Sequence, residues 1–487
     1  MTQFAQFARR IGLIGATNLI ISLQGLILLP IFTKTLPIEE YGTWIQIMVT
    51  IGLIPALVML GLPYTMVRYL AAAKNREDIQ EGFYSITFIT VFSAGIVSFF
   101  LVLFAEPISA VLFDNSIEIT RFLGLLVFLE CMNLLQYNYF RTFQQIKRYS
   151  FLLLFRAFLQ IALAGGLVLS GYGIYGAVLG YLIASALLLL VMAILIVSEI
   201  GVVIPKFMYL REYLSFGLPT VPTNISSWIV NSSDRYLIGI LLGIAFVGYY
   251  SPGYTLGNIV NMYIAPLSFL LPAILSKYYD EGDLVGVGTI IQDSLKYYSL
   301  LAIPSVIGLS FLSKPILEIL STNEIAQEGY LITPFVALSA LIFGIYAIVM
   351  NAMILEKKTK IIGIIWILAA IVNFGLNLIF IPLFGILGAA FTTLLSFMIA
   401  LVGTVHYSKE FLSLSFSMNT AGSILRILLA SICMIPVLFF LNPHDLLSIG
   451  LSIGICAVIF FAVLFLVRGI SKEEIEFFKG CISDYNK

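Results

Sequence analysis

Apolar residues run almost unbroken along this chain, relieved every twenty to thirty residues by a short polar or glycine- and proline-bearing turn. A helix crosses the hydrocarbon of a bilayer with about 20 apolar residues. That length predicts about fourteen spans, near 11–33, 43–66, 83–105, 119–139, 150–170, 174–197, 213–241, 248–275, 294–313, 330–353, 360–381, 384–406, 423–441 and 446–468. Helix is the expected state throughout. The runs are too long and too continuously apolar for barrel strands, and lipid offers no water to an unpaired backbone. The opening MTQFAQFARRIGLIG has the look of a signal sequence, but its apolar run extends to about Phe32 with no A-x-A site after it, so it reads as the first span.

Composition fixes the class. Hydrophobic residues make up 60% of the 487 and charged residues 11%, with a mean hydropathy of +1.04. Soluble domains carry roughly 25% charged residues, so this surface is one that lipid solvates and water does not. The formal net charge is zero, which gives no footprint for a nucleic-acid partner. Cys131, Cys433, Cys456 and Cys481 are scattered, and with His406 and His444 they match no metal-site or disulfide spacing. The sequence calls for no cofactor.

The basic residues give an orientation. With an inner N-terminus, all but six of the 26 fall on inner loops or the tail. The exceptions are Lys34, Arg121 and Lys314 outside, and Arg156, Arg235 and Arg426 within spans. The asymmetry persists to the end of the chain, so both termini are expected in the cytoplasm and the chain in the cytoplasmic (inner) membrane, multi-pass. The two halves also echo each other. Gly-Tyr-Gly-Ile-Tyr-Gly-Ala at 171–177 matches Leu-Phe-Gly-Ile-Leu-Gly-Ala at 383–389, the basic turn at 145–148 matches 356–358, and Tyr41-Gly42 matches Gly248-Tyr249. Each match joins spans six apart. An even number preserves orientation, so the expectation is a parallel repeat: six-helix lobes at 1–205 and 206–410, then an extra helix pair and tail at 411–487.

This arrangement resembles the Wzx-like polysaccharide and oligosaccharide flippases of the multidrug/oligosaccharidyl-lipid/polysaccharide exporter superfamily. Leu29-Pro30-Ile31-Phe32-Thr33 with Tyr41-Gly42, and Asp234-Arg235 with Val247-Gly248-Tyr249-Tyr250, carry the likeness along with the two glycine turns. The resemblance implies an all-α, MATE-like fold of two lobes around a cavity that opens alternately to each side. It also implies a cargo of polyprenyl-diphosphate-linked oligosaccharide. The partners expected are that lipid-linked cargo, the membrane lipids, and a glycan polymerase or glycosyltransferases of the same pathway. A multidrug exporter on the same fold is one alternative, though such proteins usually stop at twelve helices. An integral-membrane glycan polymerase or glycosyltransferase is the other, and the only acidic pair on an outer loop that suits one is Glu39-Glu40.

Ionisable groups inside a bilayer are costly and mark candidate sites. Arg235 and Arg156 are candidates for the diphosphate, since a guanidinium fork binds two phosphate oxygens together. The alternatives are an acid on a neighbouring helix for Arg235 and a snorkelling role for Arg156. Adjacent helix residues point apart, so Asp234 is not expected to face Arg235; it is a candidate for coupling or gating. Glu130, near the middle of its span, reads as a protonatable carboxylate for coupling or gating. Pro219 and Pro222 interrupt the helix that carries Asn224 and Asn231, and Asn258 and Asn261 follow on the next. Their amides suit sugar hydroxyls, with interhelical glue as the competing role. Asn373 and Asn377 share that ambiguity, and so does the polar end of span four at Asn133, Gln136, Tyr137 and Asn138.

Overall fold

A computed structural model describes residues 3–73, 75–408, 418–467 and 469. Lys74, Lys409, Arg468, Lys472, Lys479 and Lys487 of the basic pattern, together with Cys481, lie outside the described residues. All regular structure among the described residues is helical. Among the described residues, eleven helices are long and apolar enough to cross a membrane. Two more, α6 (Ile117–Thr142) and α10 (Val221–Leu241), match them in length but carry charges within, Glu130 in the first and Asp234 and Arg235 in the second.

The runs divide where backbone geometry demands it. Gly171, at φ 88°, breaks the apolar stretch 146–200 into α7 (Ile146–Gln160), two π turns and α8 (Gly173–Ile200). The expected span 43–66 starts earlier and is cut short. It forms α2 (Ile38–Val58), and then Leu60 (φ 49°) and Gly61 (φ 71°) turn the chain into the single helical turn α3 (Leu62–Thr65). Gly61 has to be glycine, because a Cβ there would lie 2.1 Å from the Gly217 carbonyl oxygen. The stretch 213–241 is also divided. A short helix α9 (Leu210–Gly217) and a 3₁₀ turn at 218–220 precede α10, with Pro219 and Pro222 at first-turn positions, where a missing N–H costs nothing. The path 244–280 holds α11 (Ile244–Gly257), a 3₁₀ turn at Asn258–Tyr263 and α12 (Ile264–Asp280).

The chain forms two compact units. One comprises Met1–Pro252, Leu320–Gly329 and Gly363–Ser396; the other comprises Gly253–Ile319, Tyr330–Ile362 and Phe397–Lys487. In the first, α2 and α11 approach through a reciprocal pair of glycines. A Cβ on Gly42 would meet the Ile244 oxygen at 2.2 Å, and one on Gly248 would meet the Ile38 oxygen at 2.8 Å. Sequence-related residues therefore make the same contact in each direction.

The repeated turns share backbone geometry as well. Gly173 and Gly385 both take positive φ (56° and 61°), and Gln144 and Lys357 do the same (53° and 58°). Three residues beyond each glycine turn, Gly176 and Gly388 leave no room for a side chain against the preceding helix. The duplication read from short motifs is thus a duplication of conformation.

Candidate functional site

In the first unit, α10 carries an ion pair in its own backbone register. Asp234 is 1% exposed and Arg235 7%. Arg235 Nη1 lies 2.9 Å from Asp234 Oδ1 and donates to the Asn231 carbonyl at 2.6 Å. This corrects the expectation that adjacent residues point apart. Their Cβ directions do diverge, but the long arginine folds back over the preceding turn, and Asp234 Oδ1 also accepts the Arg235 backbone N–H at 2.9 Å. Asp234 Oδ2 accepts the Tyr250 hydroxyl at 2.6 Å, and the guanidinium lies 5.6 Å from that ring's centroid. Gln46 of α2 donates to the Arg235 carbonyl at 2.9 Å. Three helices, α2, α10 and α11, thus meet on one buried pair. The acid that Arg235 meets here is its own neighbour in sequence, Asp234.

A second pair lies in α6 and α7. Glu130 Oε2 is 2.8 Å from Arg156 Nη2, which also donates to the Tyr181 hydroxyl of α8 at 2.7 Å. The side chains are 7% and 16% exposed. Arg156 therefore does not snorkel, and Glu130 is not a solitary carboxylate: each neutralises the other away from water. One turn along α7, Gln160 accepts from Gln24 of α1 (Gln3–Thr35) at 2.8 Å. Sequence reasoning missed both ion pairs. Glu130 and Arg156 are 26 residues apart, and only packing joins them.

The amides divide between roles. Asn224 and Asn231 are half-buried on α10. Asn224 Oδ1 accepts the Tyr64 hydroxyl at 3.2 Å, and Asn231 donates to the Ser227 carbonyl at 2.7 Å. Asn373 and Asn377 are buried glue: Asn377 donates to Asn373 at 3.1 Å and accepts from Thr392 of α17 (Ile386–Tyr407). Span four's polar end is glue too, with Asn133 donating to the Ser185 carbonyl at 3.0 Å and Tyr137 to the Leu152 carbonyl at 3.1 Å. In the second unit, Asn261 donates to Asn258 at 2.6 Å within the 3₁₀ turn. Tyr263 ends that turn and lines an apolar cavity of about 280 Å³ with Pro304, Met434 and Phe460. Among the described residues, no three His, Cys, Asp or Glu side chains are placed to hold a metal ion.

Comparison with known proteins places this geometry. A model of the polysaccharide biosynthesis protein family matches residues 31–328, and a model described as lipid II flippase MurJ matches 258–430. The probable low-salt glycan biosynthesis flippase Agl15 of Haloferax volcanii is 24% identical over 260 residues, 53% of this chain. The match spans 54% of the length of that relative. Among solved structures, lipid II flippase MurJ in an inward closed conformation superposes with a TM-score of 0.76 at 18% identity, covering 93% of this chain and 98% of that one. An inward-facing multidrug resistance MATE family transporter of the MOP superfamily gives 0.68 at 15% identity, covering 82% and 98%. The fold is theirs: all-helical and two-lobed.

Proposed function

The chain belongs to the polysaccharide biosynthesis protein family, and on that premise we propose that it is a flippase for polyprenyl-diphosphate-linked oligosaccharide. It turns the headgroup from the cytoplasmic to the outer face of the cell membrane by alternating access, through fourteen crossings with both termini inside. The lobes are 1–205 and 206–410, followed by an extra helix pair. The relatives and solved structures named above are flippases and a transporter, which supports a carrier over a glycan polymerase or glycosyltransferase.

Helix α10 is the observation that carries the reading. A cation, its counter-ion and a half-buried face bearing amides stand on one helix of membrane-crossing length. A diphosphate-linked sugar presents the matching chemistry, an anion joined to a rim of hydroxyls. Arg235 holds the diphosphate when Asp234 swings to Tyr250, which already donates to the far carboxylate oxygen. The Asp234–Arg235 pair is the latch when the site is empty. Arg156 is the second cationic ligand, Glu130 its counter-ion and coupling group, and Asn224 and Asn231 meet hydroxyls.

Export of surface glycan in cells whose own copy is disrupted tests the assignment. Arg235→Ala should abolish export, and Arg235→Lys should restore only part of it, because an ammonium keeps the charge without the two-pronged fork. Wild-type export by Arg235→Ala would remove the diphosphate role. The MATE likeness supports a second reading, a small-molecule exporter. On that reading, glycan export is intact in the disrupted strain and drug sensitivity rises instead.

A further inference from the structure

The half-buried face of α10 holds an aromatic that the charged cluster does not use. Asn224, Trp228 and Arg235 fall at spacings of four and seven, which puts them on one side of the helix. Trp228 is half-buried and set by two neighbours. The Tyr236 ring packs on it at 5.6 Å between centroids and 50° between planes, and Tyr236 is itself tied to Thr50 by a 2.5 Å hydroxyl contact. Gly52 of α2 lies beside the indole N–H edge and adds no side chain to it; a Cβ there would sit in ordinary contact, 3.6 Å from Nε1. Among the described residues the indole N–H and the Asn224 amide N–H groups donate to nothing. One turn away is Tyr64, 46% exposed, whose hydroxyl fixes the Asn224 carbonyl. Gly61 and Gly217 let α3 lie directly against the end of α9, just ahead of the turn that leads into α10.

We propose that Trp228 is a sugar platform: one ring of the lipid-linked oligosaccharide stacks on the indole, and the indole N–H and the Asn224 amide donate to its hydroxyls. This rests on the flippase reading above. A pyranose turns a patch of weakly positive C–H bonds to one side, which fits the negative face of an aromatic ring. Its hydroxyl oxygens accept from the unused N–H groups. Seven residues separate Trp228 from Arg235, about 10 Å along the helix, so a sugar on the one leaves its diphosphate within reach of the other. The platform is oriented before cargo arrives, because Tyr236 and Thr50 hold it.

Equilibrium binding to the purified, full-length protein in lipid nanodiscs tests this with two probes. One is the polyprenyl-diphosphate oligosaccharide pool extracted from the host membranes; the other is polyprenyl diphosphate without sugar. Trp228→Ala should weaken the sugar-bearing lipid by about tenfold, the size of a lost stacking contact, and leave the sugar-free lipid unchanged. Trp228→Phe should recover most of the difference. Gly52→Leu keeps the tryptophan, so its fold is tested separately from the indole; by covering the indole edge it should mimic Trp228→Ala. Equal weakening for both lipids would make Trp228 a packing residue or membrane anchor and overturn the platform. Equal wild-type affinity for the two lipids would overturn it as well, while leaving the diphosphate reading intact. A wild type that binds neither lipid would take down both.

Discussion

At the scale of single residues, the Glu130–Arg156 pair makes a sharp forecast. Taking one partner from a buried ion pair strands the other charge, at a cost of about 3–5 kcal/mol, whereas removing both is far milder. Glu130→Gln should therefore lower folded protein in the membrane, and Glu130→Gln combined with Arg156→Gln should recover it. Thermal unfolding in detergent of the two single variants and the double one reads the coupling directly. Additive losses would mean that the 2.8 Å contact contributes nothing. The same pair shows where reading a sequence stops. A carboxylate in an apolar run is visible as costly, but what neutralises it is set by how α6 and α7 pack. The Asp234–Arg235 pair was hidden differently. Helical periodicity tracks Cβ directions, and an arginine long enough to reach the Asn231 carbonyl one turn back escapes that rule. Trp228 was hidden a third way, since a tryptophan in an apolar run reads first as packing or interface.

At the scale of elements, glycine decides where helices touch. Gly42→Ala puts a Cβ 2.2 Å from a backbone oxygen that has no rotamer to escape into, so α2 and α11 must separate. Overpacking of this kind costs about 1–3 kcal/mol, and the unfolding temperature should fall. Gly375→Ala on α16 (Thr359–Phe384) is the control: nothing lies within 4 Å of its Cβ, and the better helix former should leave stability equal or slightly raised. If the two variants unfold alike, the reciprocal glycine contact is not what holds these helices together. The elements themselves were largely legible, because twenty apolar residues in lipid have few choices besides helix. Their ends were less so. Gln144 and Lys357 adopt positive φ without being glycine, and nothing in either side chain announces it. The 3₁₀ turn at Asn258–Tyr263 likewise interrupts a run whose composition reads as one continuous helix.

At the scale of the molecule, a membrane-embedded carrier needs an interior that can hold an anion in one state and satisfy itself in another. On the flippase reading proposed above, the two neutralised pairs meet that need, because each arginine has a counter-ion that keeps it stable when no cargo is present. A permanently unpaired arginine would bind diphosphate more tightly, yet its empty state would be expensive in low dielectric. On this account release is as much a property of the pairs as binding. The measurement that tests it most directly is transbilayer movement in vesicles containing only this protein and the polyprenyl-diphosphate oligosaccharide pool of its host. A glycan-cleaving enzyme added outside reports which headgroups are exposed. Vesicles with the wild-type chain should yield nearly the whole pool to the enzyme, while vesicles with Arg235→Ala or with no protein should yield only the outer-leaflet share. The same share from all three would contradict the account.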